Sequence, residues 1–325
     1  MSRAIGLLLG FAADRVLGDP RRFHPVAGFG GTANRLEQLV YADSRRAGAV
    51  YTATLVGTTT AAGILAERLT RHHPILHTVV TAAATWTVLG ARSLDREAEA
   101  MAGLLEEKDI PAARDRLGHL CARDATDLEA DELARATVES IAENTSDACV
   151  APLLWGVFGI PGLLGYRAAN TLDAMVGYKS PKYQNFGWAS ARLDDLVNLV
   201  PARVCAVLTG LAARRPRQAR DVWRRDASKH PSPNAGPVEA AFAGALGLTL
   251  GGTNSYEGSQ ENRGTLGAGP SPTVDDIRRT AALARRVGIA AAGVTAILTL
   301  RPKKRGHVSP LLRTQAARRE GERWG

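Results

Sequence analysis

Charge is distributed in blocks along this chain. Ala47–Ala66 is a run of 20 residues without a charged side chain, fenced by Arg45-Arg46 and Glu67-Arg68. Pro74–Ala91 gives 18 more, in which only His77 ionises near neutral pH, and Ala148–Tyr166 gives 19, closed by Arg167. Leu196–Ala213 is nearly as apolar but carries Asn198 and Arg203, and Val287–Leu300 is a shorter run of 14 that ends at Arg301. About 20 apolar residues are what a helix needs to cross a bilayer. A single run of this kind is also compatible with a buried core helix, but several in one chain, each bounded by Arg or Lys, point to repeated crossing. The runs are rich in Gly, Ala, Ser and Thr, the residues that let helices approach closely in lipid. The pattern predicts an all-α, polytopic integral membrane helical bundle. Near the start, Arg3 and the apolar run Ala4–Ala13 resemble a signal peptide, but Asp14 and Arg15 cut the run short,. A retained helix, either a short span or interfacial, is expected there.

Between Ser93 and Asp147 the pattern changes. Leu94, Met101, Leu104, Leu105, Leu117, Leu120, Leu128, Leu133, Val138 and Ile141 recur near helical spacing among acids and bases,. Residues 93–147 are therefore expected to form an extramembrane helical segment within a single domain spanning 1–325, with 301–325 as a basic tail. Pro111 is expected to open one of its helices at the first position.

Composition adds a direction to this picture. The 325 residues carry 41 Lys+Arg against 32 Asp+Glu, a net charge of +9. The mean hydropathy of −0.11 averages uncharged runs with dense polar loops. Much of the positive charge lies in Arg214–Lys229 and in the tail from Arg301 to Arg319. Basic loops favour the cytoplasmic side, so both are expected inside a cell (inner) membrane. An even number of crossings must then separate them, supplied by Val287–Leu300 together with the Gly-rich run Ala240–Gly252, unless the short run is re-entrant. Membrane topology explains the charge better than nucleic acid, for which no motif is present. Cys121, Cys149 and Cys205 lack metal-ligand spacing and are too few for a disulfide framework,.

Three polar blocks carry candidate chemistry. Glu139, Glu143 and Asp147 fall at i, i+4 and i+8, stacking carboxylates that repel one another on a bare helix. A cation would relieve the repulsion; on spacing alone a solvated acidic face is the simpler reading. Tyr166, Asn170, Asp173 and Gly177 share a second face beside Arg167, and Asp194, Asp195 and Asn198 open the run that contains Arg203. Ionisable groups at such positions usually face a bundle interior or polar cavity; a structural Arg203–Asp pair is the alternative. The third block, Arg225–Gly236, includes Lys229, His230, Ser232 and Asn234, and its prolines and glycine predict a rigid turn. Thr253–Gly269, with Tyr256 and Glu257, is expected to continue as a polar loop. No Walker-type or dinucleotide-binding glycine motif occurs,.

Taken in order, Asp14 with Gly18-Asp19-Pro20 and His24-Pro25-Val26, Arg123-Asp124, Val138–Asp147, Tyr166–Tyr178, Phe186–Asp195, Ser232–Gly236 and Gly251-Gly252 resemble the CobD or CbiB family, the adenosylcobinamide-phosphate synthases of cobalamin biosynthesis. The match covers residues from near 5 to about 300. Two departures are visible: Ala148 replaces a usual Gly, and Pro237-Val238 replaces a usual aromatic-Pro pair. The resemblance implies a membrane enzyme that joins adenosylcobyric acid to (R)-1-amino-2-propanol O-2-phosphate in an ATP-dependent amide ligation, with Mg2+ as its metal. For that chemistry Glu143, Asp147, Asp173, Asp194 and Asp195 are the expected metal ligands, and His230, Arg192 and Arg167 the expected catalytic groups. Asn144, Asn170, Lys179, Ser232 and Asn234 are the substrate-binding candidates. The lipid bilayer and later membrane enzymes of the same pathway are the expected associates, and no nucleic acid is expected. Two competing classes are a transporter, which predicts internally repeated halves that the sequence lacks, and a membrane phosphotransferase acting on a lipid-like substrate.

Overall fold

A computed structural model describes the chain except for residues 20–23, 122–123, 179, 257–258 and 301–325. Lys179, Glu257, Arg123, Pro20 and the basic tail therefore lie outside the described residues. In order the elements are α1 (Ser2–Leu17), α2 (Pro25–Val40), α3 (Arg45–Thr70), α4 (Pro74–Val88), α5 (Ala91–Glu106), α6 (Ile110–Leu117), α7 (Ala130–Thr145), α8 (Ala151–Trp155), α9 (Ile160–Leu172), α10 (Trp188–Ala212), α11 (Pro216–Asp226), α12 (Ala235–Leu246), an antiparallel hairpin of β1 (Thr249–Tyr256) and β2 (Ser259–Gly267), and α13 (Val274–Leu300). The fold is all-α apart from that hairpin, as the charge pattern predicts. Helix starts follow local chemistry: Pro stands in the first turn of α2, α4, α6, α9 and α11, where its missing N–H leaves no bond unmade. Ser44 and Asp109 cap α3 and α6 through their side chains, and Glu129 and Glu132 form a capping box on α7,.

Four helical stretches are long and apolar enough to cross a membrane: Arg45–Thr70, Pro74–Glu106, Trp188–Ala212 and Val274–Leu300. The second comprises α4 and α5, joined at Leu89-Gly90. Gly6 and Gly10 of α1 lie against Thr81 and Thr85 of α4 so closely that a Cβ on Gly10 would stand 2.4 Å from Thr85 Cβ. Packing that tight requires glycine.

Five expectations change. Ala148–Tyr166 is not one continuous span: it breaks into a π-helical turn, the short α8, a 3-10 turn and the start of α9. Gly159, at φ 91°, and Pro161 force the sharpest break. The run Val287–Leu300 is only the second half of α13, which begins 13 residues earlier among charged side chains. The Gly-rich run Ala240–Gly252 does not cross, because α12 has 12 residues and spans about 18 Å, against a hydrocarbon core of about 30 Å. Within the described residues, α13 is the sole candidate span after Lys229, so the second crossing needed to place both basic stretches on one side is not found there. Finally, most of the expected loop Thr253–Gly269 pairs into the hairpin, because buried Leu250 and Leu266, opposite one another, anchor it in the core. The third polar block is likewise only partly a turn, since Arg225 and Asp226 end α11.

Residues 93–147 supply α5, α6 and α7 but do not close a core by themselves. Met101, Leu105, Leu117, Leu133, Val138 and Ile141 pack with Leu250 and Leu266 of the hairpin and Ile277 and Ala281 of α13. A second cluster, around Cys149, Leu153, Cys205, Phe242 and Val287, fills the apolar bundle. The polar residues described next occupy the zone where α7, α9 and α10 meet.

Candidate functional site

Two helices loosen at matching points. After Thr145, α7 widens into a π-helical segment, Ser146–Val150, and after Leu172, α9 does the same over Asp173–Gly177. Such π segments are rare and are frequently found at functional sites. Here each carries one of the acids, Asp147 or Asp173. Gly177 leaves room for the second: a Cβ there would stand 1.9 Å from Asp173 Oδ1. The N-terminal part of α10 faces both segments and contributes Asp194 and Asp195.

A continuous hydrogen-bonded chain fixes these groups. Asp194 accepts from Asn198 Nδ2 at 2.9 Å through one carboxylate oxygen and from Asn170 Nδ2 at 3.3 Å through the other. Asn170 Oδ1 in turn accepts from Arg167 at 3.2 Å. Tyr166 Oη lies 3.0 Å from Asn198 Oδ1 and 3.1 Å from the main-chain oxygen of Asp147. Asp147 stands in the field of Asp194, Glu143 and Asp173, and Asp173 in that of Asp194, Asp195 and Glu143. The five acids expected to serve a metal are thus gathered in one region. Among the described residues no three His, Cys, Asp or Glu side chains form a ready-made metal cage. Carboxylate oxygens such as these could hold a hard cation of the Mg2+ type, which takes one or two carboxylates and completes its shell with water and phosphate oxygens.

Arg167 joins this region to the N-terminal motif. Its guanidinium lies in the field of Asp19, Asp147 and Asp14. Asp14 is fully buried at the end of α1. Asp19 accepts from Ser93 Oγ at 2.5 Å, and its other oxygen lies 3.8 Å from His24 Nε2. Asp14 and Asp19 are functional candidates that the list drawn from sequence missed. The available signal was an acid closing an otherwise apolar run.

The remaining predicted residues divide. Arg192 sits one turn before Asp195, 3.9 Å from its carboxylate, with 69% of its side chain exposed. Asn234 accepts from Arg203 at 2.8 Å and donates to the main-chain oxygen of Asp195 at 2.8 Å, which ties the third polar block to the start of α10. Arg203 thus bonds to an amide and to Leu199 O, in place of the Arg–Asp pair considered from sequence. Ser232 Oγ accepts from the backbone N–H groups of Asn234 and Ala235, and Asn144 donates back to Ser140 O of its own helix. Both do local structural work.

His230 and Glu139 are drawn elsewhere. His230 is buried, accepts from Ser232 N through Nδ1 at 3.0 Å, and turns Nε2 toward Glu239 at 3.6 Å. Burial, and then the nearby Arg263 charge, lower its pKa to about 4. Glu139 accepts from Gly251 N at 2.7 Å. It therefore leaves the carboxylate stack with Glu143 and Asp147 and pins the hairpin.

A helical membrane protein with a polar site of carboxylates, amides and a guanidinium held between broken helices is the class that fold and site define. The family model described as CobD/Cbib protein matches residues 7–284. The chain is 51% identical over 306 residues to the cobalamin biosynthesis protein CobD of Mycobacterium tuberculosis strain H37Rv, covering 92% of this chain and 97% of that one. It is 44% identical over 296 residues to the protein of the same name from Chromobacterium violaceum, covering 88% and 93% of the two chains. Against the Rhodobacter capsulatus protein of that name it is 40% identical over 309 residues, covering 92% and 98%. No solved structure gives a significant match. The chain belongs to the CobD/CbiB family.

Proposed function

We propose that the chain is an inner-membrane enzyme of cobalamin biosynthesis that joins adenosylcobyric acid to (R)-1-amino-2-propanol O-2-phosphate by an ATP-dependent amide ligation. Family membership supports the pathway. The observation that carries the ligation is the convergence of Glu143, Asp147, Asp173, Asp194 and Asp195 with Arg167 and Asn170 at two π-helical turns. A carboxylate is inert to an amine until its oxygen becomes part of a leaving group. Phosphoryl or nucleotidyl transfer from ATP achieves that; the amine nitrogen then attacks the acyl carbon, the C–N bond forms, the C–O bond to the leaving group breaks, and the ammonium proton departs.

Each part of that sequence needs a group of a type present here. Asp147, Asp173 and Asp194 would hold Mg2+, which when bound neutralises phosphate charge. Arg167, and the exposed Arg192 beside Asp195, would stabilise negative charge that develops in transfer,. Asn170 and Asn198 hold the Asp194 carboxylate in place, and Asn234 positions the backbone at Asp195. With His230 turned toward Glu239, the proton acceptor for the attacking amine falls instead to a carboxylate of the acidic cluster. In this reading the basic helix α11 lies on the cytoplasmic side, where ATP is found.

Product analysis tests the reading. Purified chain in lipid nanodiscs, given adenosylcobyric acid, aminopropanol phosphate, ATP and Mg2+, is expected to form the amide. Phosphoryl transfer to a lipid-like acceptor without amide would establish the phosphotransferase instead.

A further inference from the structure

Beside the acidic cluster lies a cavity of opposite character. It has a volume of about 350 Å3 and is lined by Arg15, Arg92, Arg96, Arg285, Asp95 and Glu99, which places it in the size range of small-molecule sites. Four guanidiniums face two carboxylates, so the lining carries a net charge of +2. The acids do not serve the four equally. Asp95 is shared by Arg15, at 2.5 Å, and Arg285, at 3.5 Å, while Glu99 turns to Arg278 outside the cavity, at 3.1 Å. Among the described residues neither Arg92 nor Arg96 has a carboxylate at ion-pairing distance, and Arg92 Nε is buried without a hydrogen-bond partner. Unneutralised guanidiniums converging on a cavity are a strong recognition element for phosphate oxygens, which they bind in bidentate fashion.

The position is as informative as the charge. The lining comes from the end of α1, the start of α5 and the middle of α13, where the apolar half of α13 gives way to charge. Gly18, at φ 70°, lays its backbone against the cavity wall: a Cβ there would stand 2.9 Å from Arg96 Nη1 and 3.1 Å from Arg92 Cγ. The next residue, Asp19, is bonded to Ser93 and lies in the field of Arg167. The cavity therefore adjoins the acidic cluster through the Gly18-Asp19 loop.

We propose that this cavity is a binding site for a phosphate-type oxyanion, held by Arg92 and Arg96 with Arg15 and Arg285 at its edge. In the ligation reading, on which the identity of the occupant rests, it receives the phosphate-bearing end of a reactant whose reacting end lies at the acids. A lipid headgroup presents the same chemistry at this depth, and the test separates the two.

The probe is pyrophosphate, and the readout is thermal unfolding of the full chain in nanodiscs of phosphatidylcholine. Pyrophosphate is expected to raise the unfolding temperature. The concentration giving half of that shift is expected to rise about tenfold or more in the double variant Arg92→Gln/Arg96→Gln, the loss expected when a charge-assisted hydrogen bond is removed. The control Arg217→Gln/Arg220→Gln removes two exposed charges from α11 and is expected to respond as the parent does. If phosphatidylglycerol discs alone give the stabilisation, abolish the pyrophosphate response and depend on Arg92 and Arg96, the site stands and its occupant is a lipid headgroup. Should the glutamine pair fail to fold, Arg92→Lys/Arg96→Lys retains the charge but not the fork and is expected to weaken binding. An equal response in parent and variants, or no response to either anion, overturns the proposal. Because binding is read without turnover, amide formation by a variant that has lost no pyrophosphate affinity sinks only this site. Arg92- and Arg96-dependent binding by a chain that makes no amide sinks only the ligation.

Discussion

Asp194 is the residue on which the candidate site turns, since both of its carboxylate oxygens are committed to amides on two different helices. Asp194→Asn keeps the shape, removes the charge and places an NH2 against a donor. In a folded, membrane-inserted protein it is expected to lower amide formation about 100-fold or more, the scale seen when a group that stabilises transition-state charge is lost. His230→Gln, by contrast, is expected to leave the rate within a few-fold of the parent, because His230 faces Glu239 and not the acids. Its effect belongs to stability. The folded pKa, about 4, lies below the ordinary value of 6.5, so the unfolded chain binds more protons between those limits. Stability is then lost as pH falls through that window, and nothing is lost above it. Unfolding temperatures measured from pH 7 to 4.5 are expected to fall less steeply in His230→Gln than in the parent.

At the scale of elements, the α1–α4 contact gives the sharpest expectation. Gly10→Val places side-chain carbon where Thr85 and Ala82 O already stand, so the helices must part; a core clash of this kind costs about 1–3 kcal/mol. Its measure is a lowered unfolding temperature in lipid, while Gly57→Val, at an open position, is expected to change little. Much of this architecture was legible in the sequence. The uncharged run Ala47–Ala66 became α3 with its flanking arginines, and the leucine spacing of 93–147 gave α5, α6 and α7. The segment Ala148–Tyr166 was not legible, because absence of charge does not signal continuity, and Pro152, Gly159 and Pro161 divide a largely buried stretch into short helical pieces. The π segments were invisible for a related reason: spacing of i, i+4 and i+8 assumes a regular helix, and the extra residue in each turn redirects Asp147 and Asp173. The acids were found as a set; the separation of Glu139 and His230 from them depended on the hairpin and on Glu239, which contacts distant in sequence determine.

For the whole molecule, the membrane arrangement follows from α13. Among the described residues α13 is the one candidate span after α11, and α12 is too short to add a second, so residues 214–229 and the Leu300 end of α13 are expected on opposite faces,. Single cysteines at Arg217 and Arg313, in a background lacking Cys121, Cys149 and Cys205, are expected to react with an impermeant maleimide from opposite sides of sealed vesicles. Labelling of both from one side would restore the arrangement expected from basic loops alone and require a further crossing.

If the acidic, amide-lined site makes an amide bond, the product itself must show it. The most direct test is mass-spectrometric product analysis of the nanodisc-reconstituted chain with adenosylcobyric acid, aminopropanol phosphate, ATP and Mg2+, run beside Asp194→Asn. An ATP-dependent amide product is expected from the parent, with a loss of about 100-fold or more in the variant. No amide from a folded parent, or equal amide from both proteins, would contradict it.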